Sequence, residues 1–109
     1  MKSLIIDDNP MARLALRELV KDVAFLEIVA ECGSASSAFD ELEKSPIDLL
    51  FLDVEMPGIS GIELLDSLEN PPLTIMITSK RDYAVEAFDL RVVDYLVKPV
   101  SPARFHTSV

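Results

Sequence analysis

The chain has 109 residues, half of them hydrophobic and 27% charged, a composition typical of one folded domain rather than of a disordered segment. Ten Lys and Arg against nineteen Asp and Glu leave a net charge of −9. Such a surface repels nucleic-acid phosphates, so we expect no direct nucleic-acid binding by this chain. The single cysteine, Cys32, excludes an internal disulfide and a multi-cysteine metal site.

The amino-terminal stretch MKSLIIDD lacks the long apolar segment of a signal peptide. No apolar run approaches the roughly 18 residues that a membrane-spanning helix needs. We therefore expect no membrane association and a cytoplasmic location.

Strands and helices are predicted to alternate along the chain. Asn9-Pro10 indicates the cap and first residue of a helix, because Asn caps helices well and proline suits the first helical position. Gly33-Ser34 precedes a second helix, and Asn70-Pro71-Pro72 ends a short third one. Ala84, Ala87 and Phe88 indicate a fourth helix. The predicted strands cover residues 4–6, 25–32, 47–52, 73–77 and 92–97.

Four of these strands are nearly continuous apolar runs, the pattern of a parallel sheet with helices on both faces. After Lys98-Pro99 only ten residues remain, VSPARFHTSV, in which Ser101-Pro102 could start a helix but hardly complete one. The final helix is therefore expected to be short or missing, leaving part of one sheet face uncovered. We interpret residues 1–109 as one domain truncated at its carboxyl-terminal helix.

Chemically active side chains follow four of the strands. In an open parallel sheet the ligand site lies beyond the carboxyl ends of the strands, so these side chains should meet at one edge. Carboxylates crowded there repel one another unless a cation intervenes, and Mg²⁺ suits such a site, with Mn²⁺ as an alternative. The side chains in question are Asp7, Asp8, Asp53, Thr78 and Lys98.

Asp53 is then a candidate nucleophile that attacks phosphorus and forms an aspartyl-phosphate. Lys98 and the Thr78 hydroxyl would neutralise and hydrogen-bond the phosphoryl oxygens as charge develops. The chain contains neither GxGxxG nor GxxxxGK[ST], so tight nucleotide binding is not expected.

Asp7-Asp8, LLFLDVEMPGISG, IMITS and DYLVKP, in this order, resemble the receiver domain of bacterial two-component response regulators. The resemblance covers nearly the whole chain. It implies a flavodoxin-like α/β fold of five parallel strands in the order 2-1-3-4-5. It also implies that a histidine kinase phosphorylates Asp53 in a Mg²⁺-dependent reaction, and that the domain catalyses its own phosphorylation and dephosphorylation as a switch rather than as a metabolic enzyme.

By position, the resemblance assigns further roles. Asp7, Asp8, Asp53 and the backbone carbonyl of Glu55 match the metal ligands. Lys98 matches the phosphate-binding lysine, and its bond to Pro99 the peptide that is cis in the family. Thr78 matches the switch hydroxyl, and Tyr95 the aromatic residue that turns inward on activation.

The stretch RDYAVEAFDLRVVDYLVKP further resembles receivers that precede a LytTR-type DNA-binding output domain. This implies a role in transcription regulation. The resemblance to the receiver family also allows a homodimer, through the family's usual surface of the fourth and fifth helices and the strand between them. We also hypothesise that Glu55 and Lys80, two residues after Asp53 and Thr78, pair across the site and modulate attack by water on the acyl-phosphate.

Two other functions stay open at this point. An aspartate-nucleophile phosphatase or phosphotransferase also starts from a strand-end Asp, but it needs a second carboxylate two residues on, for which Glu55 is a weak substitute. A pseudo-receiver would act only as a protein-binding module, independently of phosphorylation.

Overall fold

The computed structural model describes residues 1–79 and 82–109, and the strands and helices alternate as predicted. Observed strand bounds differ from the predicted ones by no more than about two residues at either end, the scatter expected at element boundaries. In chain order the elements are β1 (Lys2–Ile6), α1 (Pro10–Lys21), β2 (Glu27–Cys32), α2 (Ala35–Lys44), β3 (Leu49–Leu52), α3 (Gly61–Ser67), β4 (Leu73–Thr78), α4 (Ala84–Asp89), β5 (Asp94–Val97) and α5 (Pro102–Ser108).

The five strands form one parallel sheet in the order β2-β1-β3-β4-β5, which confirms the flavodoxin-like α/β topology. Ile6, the last residue of β1, pairs with Cys32 on one side and Leu52 on the other. Thr78 at the end of β4 pairs with Val97 at the end of β5. This register brings the residues that follow the central strands to a single edge.

Successive side chains of a strand point to opposite faces of the sheet, and each face has its own core. Leu50 and Leu52 face a core covered by α2, α3 and α4, whereas Phe51 faces one covered by α1 and α5. The central strands are thus buried on both faces, which explains their nearly continuous apolar sequences.

Helix α5 is short, as expected, but the prediction that the tail could hardly complete a helix was wrong. The Ser101 hydroxyl accepts from the Arg104 N–H, Pro102 occupies the first turn, and the helix continues to Ser108. Phe105 is fully buried, with its ring centroid 5.7 Å from that of Phe51. A single well-placed aromatic side chain therefore anchors two turns of helix against the sheet.

Part of this face does stay open beside the end of α5. Apolar residues at the amino ends of the strands line a cavity of about 140 Å³ there, next to Ser108 and Val109. Four of the lining side chains are substantially exposed: Met1, Phe25, Leu73 and Val93.

The apolar residues that indicated helix α4 differ in burial. Ala87 is fully buried, whereas Phe88 is 55% exposed. The helix has only six residues, so a neighbouring aromatic residue is not forced inward by the periodicity that buries Ala87.

None of the helices in the described part of the chain combines the length and the apolar character that a membrane-spanning helix requires.

Candidate functional site

Asp53 lies directly after β3 and is held by the sheet itself. Its N–H donates to the Ile6 carbonyl at 2.9 Å, which continues the ladder between β1 and β3 by one residue. The residue is only 6% exposed. One of its carboxylate oxygens, Oδ1, accepts the Glu55 N–H at 3.2 Å. The side chain predicted as the nucleophile is therefore fixed at the base of a loop rather than free in solvent.

The loop after Asp53 folds back onto its backbone at Gly61. The Gly61 N–H donates to the Val54 carbonyl at 2.8 Å. A Cβ at this position would lie 2.1 Å from the Asp53 carbonyl oxygen, so only glycine permits the approach. Ser60 and Glu63 form a capping box that starts α3 at this point. The cap and the glycine together set the loop beside Asp53.

Asp7 and Asp8, adjacent in sequence, have contrasting environments. Asp7 is buried: its N–H donates to the Cys32 carbonyl at 2.9 Å, and its Oδ1 accepts the Asn9 N–H at 2.9 Å. Asp8 is exposed. The side chain of the same Asn9 caps α1 by accepting the Met11 N–H, so the start of the helix and the orientation of Asp7 are set together.

Lys98 reaches the same place from the end of β5. Its Nζ lies 2.8 Å from Asp7 Oδ2 and 3.2 Å from Asp53 Oδ2. The backbone N–H of Lys98 donates to the Thr78 carbonyl at 2.9 Å, and the Lys98–Pro99 peptide bond is cis. One ammonium group therefore bridges two buried carboxylates that belong to different strands.

This bridge does not fully compensate Asp53. Burial raises the pKa of the Asp53 carboxyl; Lys98 lowers it, Asp7 raises it again, and hydrogen bonds from Thr78 and the Glu55 backbone lower it, with a net rise. Burial by itself would lower the pKa of Lys98, but the hydrogen bond to Asp7 and the charge of Asp53 outweigh it and raise that pKa. Burial is thus the main cause of the rise at Asp53, whereas the neighbouring carboxylates cause the rise at Lys98.

Thr78 and Tyr95, predicted as switch residues, lie inside the protein beside this cluster. Thr78 is fully buried, and its side chain hydrogen-bonds Asp53. Tyr95 is 9% exposed. Burial raises the pKa of the Tyr95 hydroxyl, a hydrogen bond with the Tyr83 backbone lowers it, and the charge of Asp53 contributes to the rise. Both side chains are therefore buried in this structure.

The donor set of this edge suits a hard divalent cation. One carboxylate oxygen from each of Asp7, Asp8 and Asp53 can be chosen so that all three lie within 4.8 Å of one another. These are oxygen ligands with more negative charge than Lys98 balances, which is the chemistry that Mg²⁺ prefers. The residues present therefore fit the metal that the sequence predicted.

A cavity of about 550 Å³ opens beside this cluster. Asp8, Glu55 and Tyr83 are among its lining residues, so it borders the exposed side of the carboxylate group. The Glu55 side chain is exposed. Lys80, its hypothesised partner, lies outside the described residues, so their pairing stays a prediction.

Sequence reasoning missed Arg13, whose Nη1 donates to the Asp7 carbonyl at 2.7 Å. A signal was present, because a cation in the first turn of a helix opposes the positive end of the helix dipole and needs a specific partner. Arg13, five residues after Asp8, is therefore a candidate for contact with the loop between β1 and α1.

Comparison with known proteins gives a consistent picture. The sequence pattern of the response regulator receiver domain matches residues 3–109. The transcriptional regulatory protein BtsR of Escherichia coli K12 is 39% identical over 111 aligned residues, which cover all of this chain and 46% of BtsR. The chain thus spans about half the length of the curated relatives it matches.

Two solved structures illustrate the similarity of the fold. The response regulatory domain of mrkE from Klebsiella pneumoniae superposes with a TM-score of 0.91 at 29% identity, covering 99% of this chain and 91% of that one. The second structure is the receiver domain of RcsB from Salmonella enterica serovar Typhimurium, determined with the phosphomimetic BeF₃⁻. It superposes with a TM-score of 0.90 at 21% identity, covering 98% of this chain and 83% of that one. At the latter identity the likeness concerns the fold alone.

Proposed function

The chain belongs to the response regulator receiver family, and on that premise we propose that it accepts a phosphoryl group on Asp53 from a histidine kinase. The observation that supports this best is the buried Asp53 carboxylate, hydrogen-bonded to Thr78 and bridged by Lys98 to Asp7. Asp53 is well positioned but incompletely neutralised. A carboxylate in that state is suited to attack a phosphoryl group once a cation bound beside it balances the remaining charge.

In the proposed reaction an Asp53 carboxylate oxygen attacks the phosphorus of a phosphohistidine. The P–N bond breaks, and its electron pair returns to the imidazole nitrogen of the kinase. Lys98 would balance the charge of the phosphoryl oxygens as a compact cation, and the Thr78 hydroxyl would donate to one of them. Mg²⁺, held by Asp7, Asp8, Asp53 and the Glu55 backbone carbonyl, would supply further charge neutralisation, and Mn²⁺ could replace it.

Phosphorylation would then act as a switch rather than as a metabolic reaction. Thr78 already bonds Asp53 and Tyr95 is already buried, so a phosphoryl group on Asp53 would stabilise this arrangement against others instead of creating it. The affected surface is that of α4 and β5, where Val85 and Phe88 are exposed and where a homodimer could form. Hydrolysis of the acyl-phosphate, modulated by Glu55 and Lys80, would reset the switch.

Labelling with a small phosphodonor tests the central claim. Incubation with acetyl phosphate and Mg²⁺ should add the mass of one phosphoryl group to the intact protein, and chelation of the metal with EDTA should prevent it. Asp53→Asn should abolish the addition, whereas Asp66→Asn, at an exposed position of α3, should not. Equal labelling of the Asp53→Asn protein would overturn the assignment of Asp53.

The Asp53→Asn protein also distinguishes this function from that of a phosphatase. A switch carries at most one acyl-phosphate per chain, whereas an aspartate-nucleophile phosphatase turns over a phosphomonoester repeatedly. Steady release of phosphate from a generic phosphomonoester, lost in Asp53→Asn, would favour the enzyme. A pseudo-receiver would show neither reaction.

The proposal also includes the output domain that responds to phosphorylation. BtsR is named a transcriptional regulatory protein and is about twice as long as this chain. We propose an output domain of the LytTR DNA-binding type, with residues 1–109 acting as its receiver. Determining the residues encoded after Val109 tests this: a different output domain there would overturn the output and leave the role of Asp53 unaffected.

A further inference from the structure

Arg13 links the edge of the sheet to the loop that presents Asp7 and Asp8. Its Nη1 donates to the Asp7 carbonyl at 2.7 Å, and its Nε lies 3.7 Å from Glu31 Oε1 on β2. The side chain is only 22% exposed. A Cβ on Gly33 would lie 3.4 Å from the same Nη1, so the guanidinium group packs closely against the end of β2.

Glu31 holds this arrangement from the side of the sheet. Arg17, one helical turn after Arg13, binds Glu31 in a bidentate manner, with Nε and Nη2 at 2.7 and 2.9 Å from the two carboxylate oxygens. The bidentate hydrogen bond from Arg17 lowers the pKa of the Glu31 carboxyl, so the carboxylate stays charged. Arg13 therefore lies between an anchored anion and a backbone carbonyl.

The contact with the carbonyl restrains the Asp7–Asp8 peptide. The Asp7 N–H is bound by the Cys32 carbonyl, and its Oδ1 by the Asn9 N–H. Arg13 holds the backbone C=O of the same residue. Asp8 follows directly and is exposed, so the direction of its carboxylate depends on the orientation of the peptide that Arg13 holds.

We propose that Arg13, supported by Glu31, is a positioning residue for the cation site formed by Asp7, Asp8 and Asp53. This rests on the proposed function, in which the site binds Mg²⁺. Arg13 acts through the peptide between Asp7 and Asp8 and touches neither metal nor phosphate. Hydrogen-bond partners that orient metal ligands in this way typically change metal affinity by about 10- to 100-fold when they are removed.

The sign of the effect distinguishes positioning from simple electrostatics. Arg13 carries a positive charge near a cation site, so loss of the charge alone would strengthen Mg²⁺ binding. Loss of the restraint on the peptide would weaken it. Removal of Lys21 is the matched control for the loss of one positive charge from the same helix, because Lys21 lies in the last turn of α1 and pairs with Glu18 rather than with Glu31.

Mg²⁺ titration by calorimetry on the intact chain, without a phosphodonor, provides the test. Arg13→Ala should weaken Mg²⁺ binding by about tenfold. Lys21→Ala should leave the affinity unchanged. Arg13→Lys should lie between wild type and Arg13→Ala, since an ammonium group can still donate to the Asp7 carbonyl. Thermal unfolding without metal checks that each variant is folded.

Unchanged or tighter Mg²⁺ binding by Arg13→Ala would overturn the positioning role. If that variant does not fold, Glu31→Gln replaces it, because it releases Arg13 without removing it; wild-type affinity in both Glu31→Gln and Arg13→Lys would overturn the role equally. Failure of the wild-type chain to bind Mg²⁺ would overturn the proposed metal-dependent function as well. Normal wild-type binding and labelling with no effect of Arg13 would overturn only this inference.

Discussion

Two groups of ion pairs in this chain both join an Asp carboxylate to a basic side chain, but they shift the pKa of that carboxyl in opposite directions. The first, which we call the carboxyl-end cluster, consists of Asp7, Asp53 and Lys98. The second, the surface pair, consists of Asp94 on β5 and Arg104 on α5, joined by two hydrogen bonds of 2.7 and 2.8 Å. The pKa of Asp53 is raised, whereas that of Asp94 is lowered.

The difference comes from burial and from the number of charges. Arg104 binds Asp94 with a planar fork, one cation for one anion, at a position where solvent also reaches both groups. Lys98 offers a single ammonium group to two carboxylates that are almost completely buried. The surface pair is therefore satisfied as it stands, and the carboxyl-end cluster is left with negative charge that a further cation would relieve.

The largest expected effect comes from a change that displaces Asp53 without altering any charge. Gly61→Ala should lower the free energy of unfolding by about 3 kcal/mol, because the new Cβ would overlap the Asp53 carbonyl oxygen. Urea unfolding measures this. Gly58→Ala is the matched control: its φ of +79° costs about 1 kcal/mol, but no atom lies within 4 Å of the new Cβ. Equal losses in the two variants would contradict the close approach at Gly61.

Removal of the cation tests the comparison directly. Lys98→Met should lower the free energy of unfolding at pH 7 by about 2 kcal/mol in metal-free buffer, since two buried carboxylates lose their shared partner. Saturating Mg²⁺ should restore part of this loss, because the metal binds the folded state. Arg104→Met should cost much less, as its partner stays accessible to water. A larger loss in Arg104→Met would reverse the interpretation.

Removal of the carboxylate should change the free energy of unfolding in opposite directions in the two regions. Asp53→Asn should raise the free energy of unfolding in metal-free buffer at pH 7 by about 1 kcal/mol, because the ionised carboxylate is disfavoured there. Asp94→Asn should lower it, because the charged form of Asp94 is favoured by Arg104. Paired thermal or urea unfolding of the two variants checks this, and a change of the same sign in both would contradict the comparison.

The smallest effect concerns pH and the surface pair. The folded pKa of Asp94 is below its ordinary value of 3.8, so its contribution to stability is present above that value and lost as pH falls through the folded pKa. The difference in unfolding free energy between wild type and Arg104→Met should therefore be constant near neutral pH and shrink below about pH 3.8. A difference that persists unchanged at strongly acidic pH would show that Asp94 is not its source.

Much of the fold could be predicted from local sequence patterns. The cap at Asn9-Pro10 and the continuous apolar runs of the central strands predicted their elements to within about two residues. The rule that strand ends in a parallel sheet share an edge correctly predicted that Asp7, Asp53 and Lys98 lie together. Helix α5 was underestimated because its stability depends on burial of Phe105 against Phe51, which no local pattern contains.

The sequence by itself determined the alternation of strands and helices, the identity of the side chains at the strand ends and the family to which the chain belongs. Only the tertiary structure decided how Lys98 divides its hydrogen bonds between Asp7 and Asp53, why Asp7 is buried while Asp8 is exposed, and that Arg13 holds the peptide between them. The physical reason is distance along the chain: Lys98 and Asp7 are 91 positions apart. Their contact depends on strand register and on packing at both faces of the sheet, neither of which a short stretch of sequence specifies.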